Sequence, residues 1–143
     1  MNIKINKINK DNIKNILDIE ITSFPTPWDE KLYLSMLRNN RYHLYGAFLD
    51  DILLGYIVLY DSVDIIEIIK IATSKDYRKK GIASHLLQFV IEKYNLDFML
   101  EVRTSNINAI NLYKNFNFKD ISIRKNYYKD TNEDALIMKR EAK

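Results

Sequence analysis

The apolar positions of this 143-residue chain change their period from segment to segment. Ile3–Ile8 alternates apolar and polar residues, the period of a short strand. From Ile13 the period lengthens, and Ile13, Ile16, Leu17, Ile21 and Phe24 fall on one side of a helix with Asp11 as candidate N-cap. Pro25 and Pro27 end that helix near Phe24. Asp29 is placed to cap a second helix, with Leu32, Tyr33, Met36 and Leu37 facing inward. Leu44–Leu49 and Ile52–Tyr60 flank Asp50-Asp51 and predict a hairpin, and Val63–Thr73 predicts the next strand.

That strand leads into the stretch on which the rest is organised, Ile71–Tyr94. The β-branched run ends abruptly at Ser74-Lys75-Asp76-Tyr77-Arg78-Lys79-Lys80-Gly81. After Gly81 the spacing becomes helical: Ala83, Leu86, Leu87, Val90 and Tyr94 share one face, and His85, Gln88 and Glu92 the other. A glycine turn opening a helix leaves backbone N–H groups free at the positive end of the helix dipole. That arrangement suits a phosphate, and Arg78, Lys79 and Lys80 reinforce it. The turn is neither a Walker loop, since no G-K-[ST] follows, nor a dinucleotide fingerprint, since it has one glycine.

Asp97–Arg103 predicts a fifth strand, reached through a crossover helix and so expected to be parallel. Asn106–Phe116 predicts a helix capped by Ser105 or Asn106, and Lys119–Asn126 and Asp134–Arg140 predict two closing strands. The order β-α-α-β-β-β-α-β-α-β-β implies one α+β domain, 1–143, with helices covering a mixed sheet.

Composition narrows the chemistry. Hydrophobic residues are 47% and charged residues 29% of the chain, as in soluble globular proteins. A net charge of +3 is too small to argue for a nucleic-acid partner. The chain has no cysteine, which removes thiol nucleophiles, disulfides and cysteine–metal sites. His43 and His85 lack ligand spacing, so no metal is expected. Met1–Lys14 has no signal-peptide core, and no apolar run approaches membrane-spanning length, so a cytoplasmic location with no membrane partner is expected.

The second informative stretch is Leu100–Phe118, LEVRTSNINAINLYKNFNF. A strand places Glu101 and Arg103 on one face, and the following helix brings Asn106 and Tyr113 to one side. The residues alone leave Asn106 as a cap and Tyr113 as a core aromatic. Together, R-x-x-G-x-A and the later L-E-V-R-x-S-N-x-x-A-x-x-L-Y-x-x-x-x-F resemble two consecutive motifs of the GCN5-related N-acetyltransferases (GNAT). The closer resemblance is to the bacterial ribosomal-protein-alanine N-acetyltransferases (RimI type), carried also by Pro27–Glu30, Ile123–Tyr128 and Glu133–Met138.

This resemblance implies a GNAT fold, a mixed, mostly antiparallel seven-stranded sheet flanked by about four helices. It implies acetyl-CoA as co-substrate, bound by Ile71, Ala72 and Thr73 along the strand edge. Arg78, Lys79, Lys80, Gly81, Ile82, Ala83 and Ser84 would wrap its pyrophosphate, and Asn106 would hold its arm. Glu101 would accept a proton and Tyr113 donate one, with Glu67 a rival base that alternation puts on the face of Ile69 and Ile71. The implied acceptor is the N-terminal alanine of a small-subunit ribosomal protein; the alternative is a small amine, a polyamine or an aminoglycoside. Three departures stand out: Lys70 where asparagine is common, Asn117 where glycine is usual, and Thr26 between the two prolines.

Overall fold

The computed structural model describes residues 2–143. Seven strands form one sheet in the order β1-β2-β3-β4-β5-β7-β6. They are β1 (Ile3–Lys7), β2 (Tyr42–Leu49), β3 (Ile52–Asp61), β4 (Ile65–Thr73), β5 (Asp97–Arg103), β6 (Lys119–Tyr128) and β7 (Glu133–Arg140). The helices are α1 (Ile13–Ser23), α2 (Glu30–Leu37), α3 (Ile82–Tyr94) and α4 (Ile107–Asn115). Every neighbouring pair is antiparallel except β4 and β5, which the crossover through α3 makes parallel. The expected α+β architecture, a mixed seven-stranded sheet with four helices, is thus present.

The sheet separates two cores. On one face α3 and α4 bury Leu86, Leu87, Val90 and Ile110 against Leu59, Ile66, Ile68, Phe98 and Leu100. On the other, α1 and α2 bury Ile13, Ile16, Tyr33 and Met36 against Leu44, Tyr56, Val58 and Ala72. Burial of this apolar surface, at about 25 cal/mol per Å2, is what holds the layers together.

Local chemistry sets the helix ends. The Asp29 carboxylate accepts from the Leu32 N–H and caps α2, as expected. Asn106 caps α4 in the same way, accepting from Ala109. At α1 the expectation fails: Asn9, not Asp11, accepts the cap bond, and a short 3-10 turn at Lys10–Asn12 precedes the helix. Two residues placed on inner faces by spacing lie outside: Ile21 is 67% exposed and Leu32 is also exposed. Both fall on the solvent side of their helices, so the buried apolar stripe is narrower than the apolar sequence.

Two irregularities position the site. β4 and β5 are joined only over Ile65–Ile68 and Asp97–Leu100, and beyond Ile68 and Leu100 the two strands no longer bond each other. A bulge also interrupts β4: Lys70 opposes Val58 and Ile68 opposes Leu59, leaving Ile69 extra. A bulge bends its strand and shifts the alternation by one residue.

Candidate active site

The bulge reassigns the faces of β4. Ile68 and Ile71 look toward α3, while Glu67, Lys70 and Ala72 look toward α1 and α2. Glu67 therefore does not share the face of Ile71, contrary to the unbroken alternation. It shares instead the face of Met99, its register partner, and of Glu101 two residues on. Both carboxylates open onto a groove of about 530 Å3, walled by Trp28, Ile69, Met99, Arg124, Tyr127, Tyr128 and Ile137.

Within this groove Glu101 is half-buried and faces Arg124, whose Nη1 lies 3.2 Å from Oε1 and 3.4 Å from Oε2. Glu67 accepts from the Ser62 hydroxyl at 3.0 Å. Tyr127 is raised by burial and by its hydrogen bond to Glu101. Burial also pushes Tyr128 up to about 12, against the lowering effect of Arg103. Arg103, on the same face of β5 as Glu101, donates to Asp130 at 2.8 and 3.0 Å. Its guanidinium lies 4.1 Å from the centre of the Tyr128 ring. It thereby fixes the β6–β7 turn against the groove. Tyr127, Tyr128 and Arg124 are visible in the sequence only as parts of a motif; the β5–β7–β6 register puts Arg124 and Tyr128 on the face of Glu101, and Tyr127 joins them in lining the groove.

Tyr113 lies on α4, almost fully buried, with its ring 5.6 Å from that of Phe118. Burial, then the neighbouring Tyr128, raises its hydroxyl well above the ordinary tyrosine value. Among the described residues no buried side-chain polar atom lacks a hydrogen-bond partner. Tyr113 is thus both the core aromatic that spacing alone suggests and a protonated hydroxyl close to Tyr128.

A second groove opens at the far end of β4. Thr73, Tyr77, Arg78, Lys79, Gly81, Ile82, Ala83 and Ser84 line it, facing Asn108 and Leu112 of α4. Between the two grooves runs the free end of β4, with Ile69 in the first and Thr73 in the second. Gly81 is left-handed, with φ +81°, as is Lys79, with φ +62°. A Cβ on Gly81 would meet no atom nearer than the His85 Nδ1 at 4.0 Å, so its role is conformational and the space above it stays open. Arg78 is tied back, donating to the Thr73 carbonyl and to the Ser23 hydroxyl, each at 3.3 Å. Lys80 is not part of the lining; its ammonium lies 5.7 Å from the Tyr77 ring. Asn106 spends its carbonyl oxygen on the α4 cap and keeps its amide N–H groups free for another partner.

The turn meets the needs of a pyrophosphate: a left-handed pair of residues, an open helix N-terminus and cationic side chains beside a groove. Parted parallel strands beside such a turn suit an enzyme whose co-substrate carries a phosphate-bearing arm. A profile of the acetyltransferase (GNAT) family matches residues 13–118, and the chain belongs to that family. GNAT enzymes use acetyl-CoA, and this chain is an acetyltransferase.

A Bacillus subtilis (strain 168) relative that carries a provisional ribosomal protein bS18-alanine N-acetyltransferase name is 36% identical over 133 residues, 90% of this chain and 88% of its own. The ribosomal protein bS18-alanine N-acetyltransferase of Escherichia coli (strain K12) is 32% identical over 126 residues, 84% of either chain. The crystal structure of the ribosomal-protein-S18-alanine N-acetyltransferase from Escherichia coli matches with a TM-score of 0.90 at 28% identity, covering 98% of this chain and 94% of that one. Among the described residues no helix is long and apolar enough to cross a membrane, and no group of three or more metal-binding side chains occurs.

Proposed function

We propose that residues 1–143 act as one cytoplasmic catalytic domain that acetylates the N-terminal α-amine of a protein, with alanine first, on a small-subunit ribosomal protein. The observation that carries this reading is the placement of Glu101 beside the point where β4 and β5 part. The names of the Escherichia coli and Bacillus subtilis relatives support the acceptor.

Acetyl-CoA, when bound, supplies an acetyl group activated as a thioester. Thr73, Arg78, Lys79 and Gly81 to Ser84 would hold its pyrophosphate arm, with the main chain of Ile71–Thr73 along the acyl end. An α-amine has a pKa near 8, against about 10.4 for lysine, so roughly a tenth of it is neutral at pH 7. Glu101 takes the proton that the ammonium must lose, directly or through one water. Free N–H groups on the edge of β4 polarise the carbonyl oxygen where negative charge gathers. As the C–N bond forms and the C–S bond breaks, the nitrogen sheds its second proton to solvent through the same water. The Tyr113 hydroxyl gives its proton to the departing sulfur, and solvent then reprotonates Tyr113. That hydroxyl is protonated at working pH, as a donor must be, and burial makes it a weaker acid than an ordinary tyrosine. Neither a metal nor a covalent enzyme intermediate is required.

The test is acetyl transfer to a panel of peptides beside a polyamine and an aminoglycoside. A peptide beginning with alanine is expected to be the best acceptor. The same peptide with a blocked α-amine and an internal lysine is expected to be inert. Acetylation of the blocked peptide, or preference for the small amines, would sink the reading.

A further inference from the structure

Directly behind the Trp28 wall of the acceptor groove lies a buried charged cluster that takes no part in proton transfer. Glu20 of α1 is fully buried. Four donors converge on its carboxylate: the Tyr33 hydroxyl at 2.6 Å, the Trp28 backbone N–H at 2.8 Å, the Tyr56 hydroxyl and the Lys70 ammonium. The Lys70 ammonium, on β4, lies 3.6 Å from the centre of the Trp28 ring and 4.0 Å from that of Phe24. Tyr33 adds a third aromatic contact, its ring 5.6 Å from that of Trp28.

Trp28 is therefore held twice, its main chain by Glu20 and its ring by Lys70. A surface loop tethered at one point could swing. This one cannot swing without taking a backbone N–H from a buried carboxylate and stripping a cation from the indole face. The front of the same ring borders the groove that carries Glu67 and Glu101.

We infer that the buried Glu20–Lys70 pair fixes Trp28 as an unyielding wall of the acceptor groove and so limits the size of the first acceptor side chain. Glu20 and Lys70 are positioning residues that act through Trp28. The inference rests on reading this groove as the acceptor site. An apolar wall of fixed position discriminates by roughly 10- to 200-fold per methylene. A wall that yields loses that discrimination.

The experiment uses Trp28 as its own reporter, because it is the sole tryptophan of the chain. Acrylamide quenching of its fluorescence is compared with the ratio of kcat/KM for an alanine-first and a leucine-first peptide. The variants are the double change Glu20→Gln with Lys70→Met, the conservative Lys70→Arg, and Trp28→Ala. The double variant, checked for folding by circular dichroism, is expected to quench more steeply and to lose about tenfold or more of the alanine preference. Lys70→Arg keeps a cation that can stack on the rings, and is expected to restore both readouts toward wild type. Trp28→Ala leaves the buried pair in place and is expected to lose the same preference, which decides the size limit even if the double variant does not fold. In that case Lys70→Gln, read by quenching, tests the clamp, and unchanged quenching there overturns it. Unchanged quenching in the folded double variant overturns the clamp. An unchanged preference in Trp28→Ala overturns the limit on size. A wild-type protein that acetylates no peptide overturns the acceptor reading and the size limit together, while quenching still tests the clamp.

Discussion

Glu67 and Glu101 stand on one face of the sheet, on adjacent parallel strands, on either side of the last rung that joins those strands. Glu67 lies before the parting, opposite Met99, with the Ser62 hydroxyl on its carboxylate. Glu101 lies just past it, where the strand edges are free. That difference of one rung is the ground on which Glu101, rather than Glu67, is proposed as the base.

Replacing Glu101 by Gln keeps its shape and removes its basicity. The kcat/KM of Glu101→Gln is expected to fall by about 10²- to 10⁴-fold at pH 7, and rising pH is expected to recover part of the loss as the α-amine deprotonates unaided. Glu67→Gln is expected to cost only a few-fold, through orientation of the acceptor. Steady-state kinetics from pH 6 to 9 checks both, and the opposite ranking would move the base to Glu67.

Tyr113→Phe removes one hydroxyl from a ring that remains packed on Phe118. A kcat loss of about 10²-fold is expected, with acetyl-CoA affinity nearly kept. Unchanged turnover would leave Tyr113 with its packing role alone.

Gly81→Val forces a β-branched residue to φ +81° at the start of α3, where open space surrounds the site. The cost is conformational, about 1–2 kcal/mol for a left-handed residue. A turn that relaxes out of this shape misdirects the N–H groups it offers to phosphate. Acetyl-CoA binding is expected to weaken at least about tenfold, equivalent to about 1.4 kcal/mol. Titration calorimetry on the folded variant measures it, and unchanged affinity would dismiss the turn as the anchor.

The Glu20–Lys70 pair predicts strongly non-additive stability. Lys70→Met alone leaves a buried carboxylate without its counterion and is expected to destabilise the fold by about 3–5 kcal/mol. At about 2–4 °C per kcal/mol for a chain of this size, the melting temperature should fall by roughly 10 °C. The double change Glu20→Gln with Lys70→Met removes both charges and is expected to recover most of the loss. Additive melting shifts would count against a coupled pair.

The same cluster sets limits at both ends of the pH scale. Burial alone pushes Glu20 up, but the bonds from Lys70, Trp28, Tyr33 and Tyr56 outweigh it and hold the carboxyl below its ordinary value. A lowered carboxyl stabilises the fold above its unfolded value, near 4.5, and that contribution is lost as pH falls through the folded value. Tyr33 and Tyr56 of the cluster are raised, chiefly by burial, above their ordinary value of 10.0, as are Tyr94 and Tyr113 in the other core. Raised tyrosines stabilise the fold fully below pH 10, and that contribution is lost as pH climbs beyond it. Melting temperature against pH should fall on both flanks, and Tyr33→Phe should flatten the alkaline one.

Much of this arrangement was legible in the sequence, because its causes are local. Asp50-Asp51 between two apolar runs predicted the β2–β3 hairpin, and the helix between β4 and β5 predicted their parallel pairing. Gly81 before a helical period predicted the turn that opens α3, though not its left-handed backbone. What escaped is non-local. Strict alternation along β4 put Glu67 on the face of Ile71, and the single residue Ile69, bulged out of register, reversed it. The Lys70–Glu20 contact joins residues 50 apart in sequence, which no period can report. Its only trace was a pair of chemical misfits, a glutamate among the isoleucines of α1 and a lysine among those of β4. Lys70 was visible as a departure from the family pattern; its partner was not.

Past Ile68 and Leu100 the sheet has a tear rather than an edge. Two strands run side by side without closing the ladder, and the rungs missing there are amide groups that only water or a guest can satisfy. A guest seated in the tear, as proposed for acetyl-CoA, would complete the architecture as well as react in it. At a hundred times its dissociation constant it would add about 2.7 kcal/mol to the stability of the fold. The unpaired strand edges of the tear are also a template on which a foreign strand could grow. Glu67 and Glu101 stand at its apex, charged side chains of the kind that deter such pairing, so the groups that face the acceptor also guard the opening against the wrong guest.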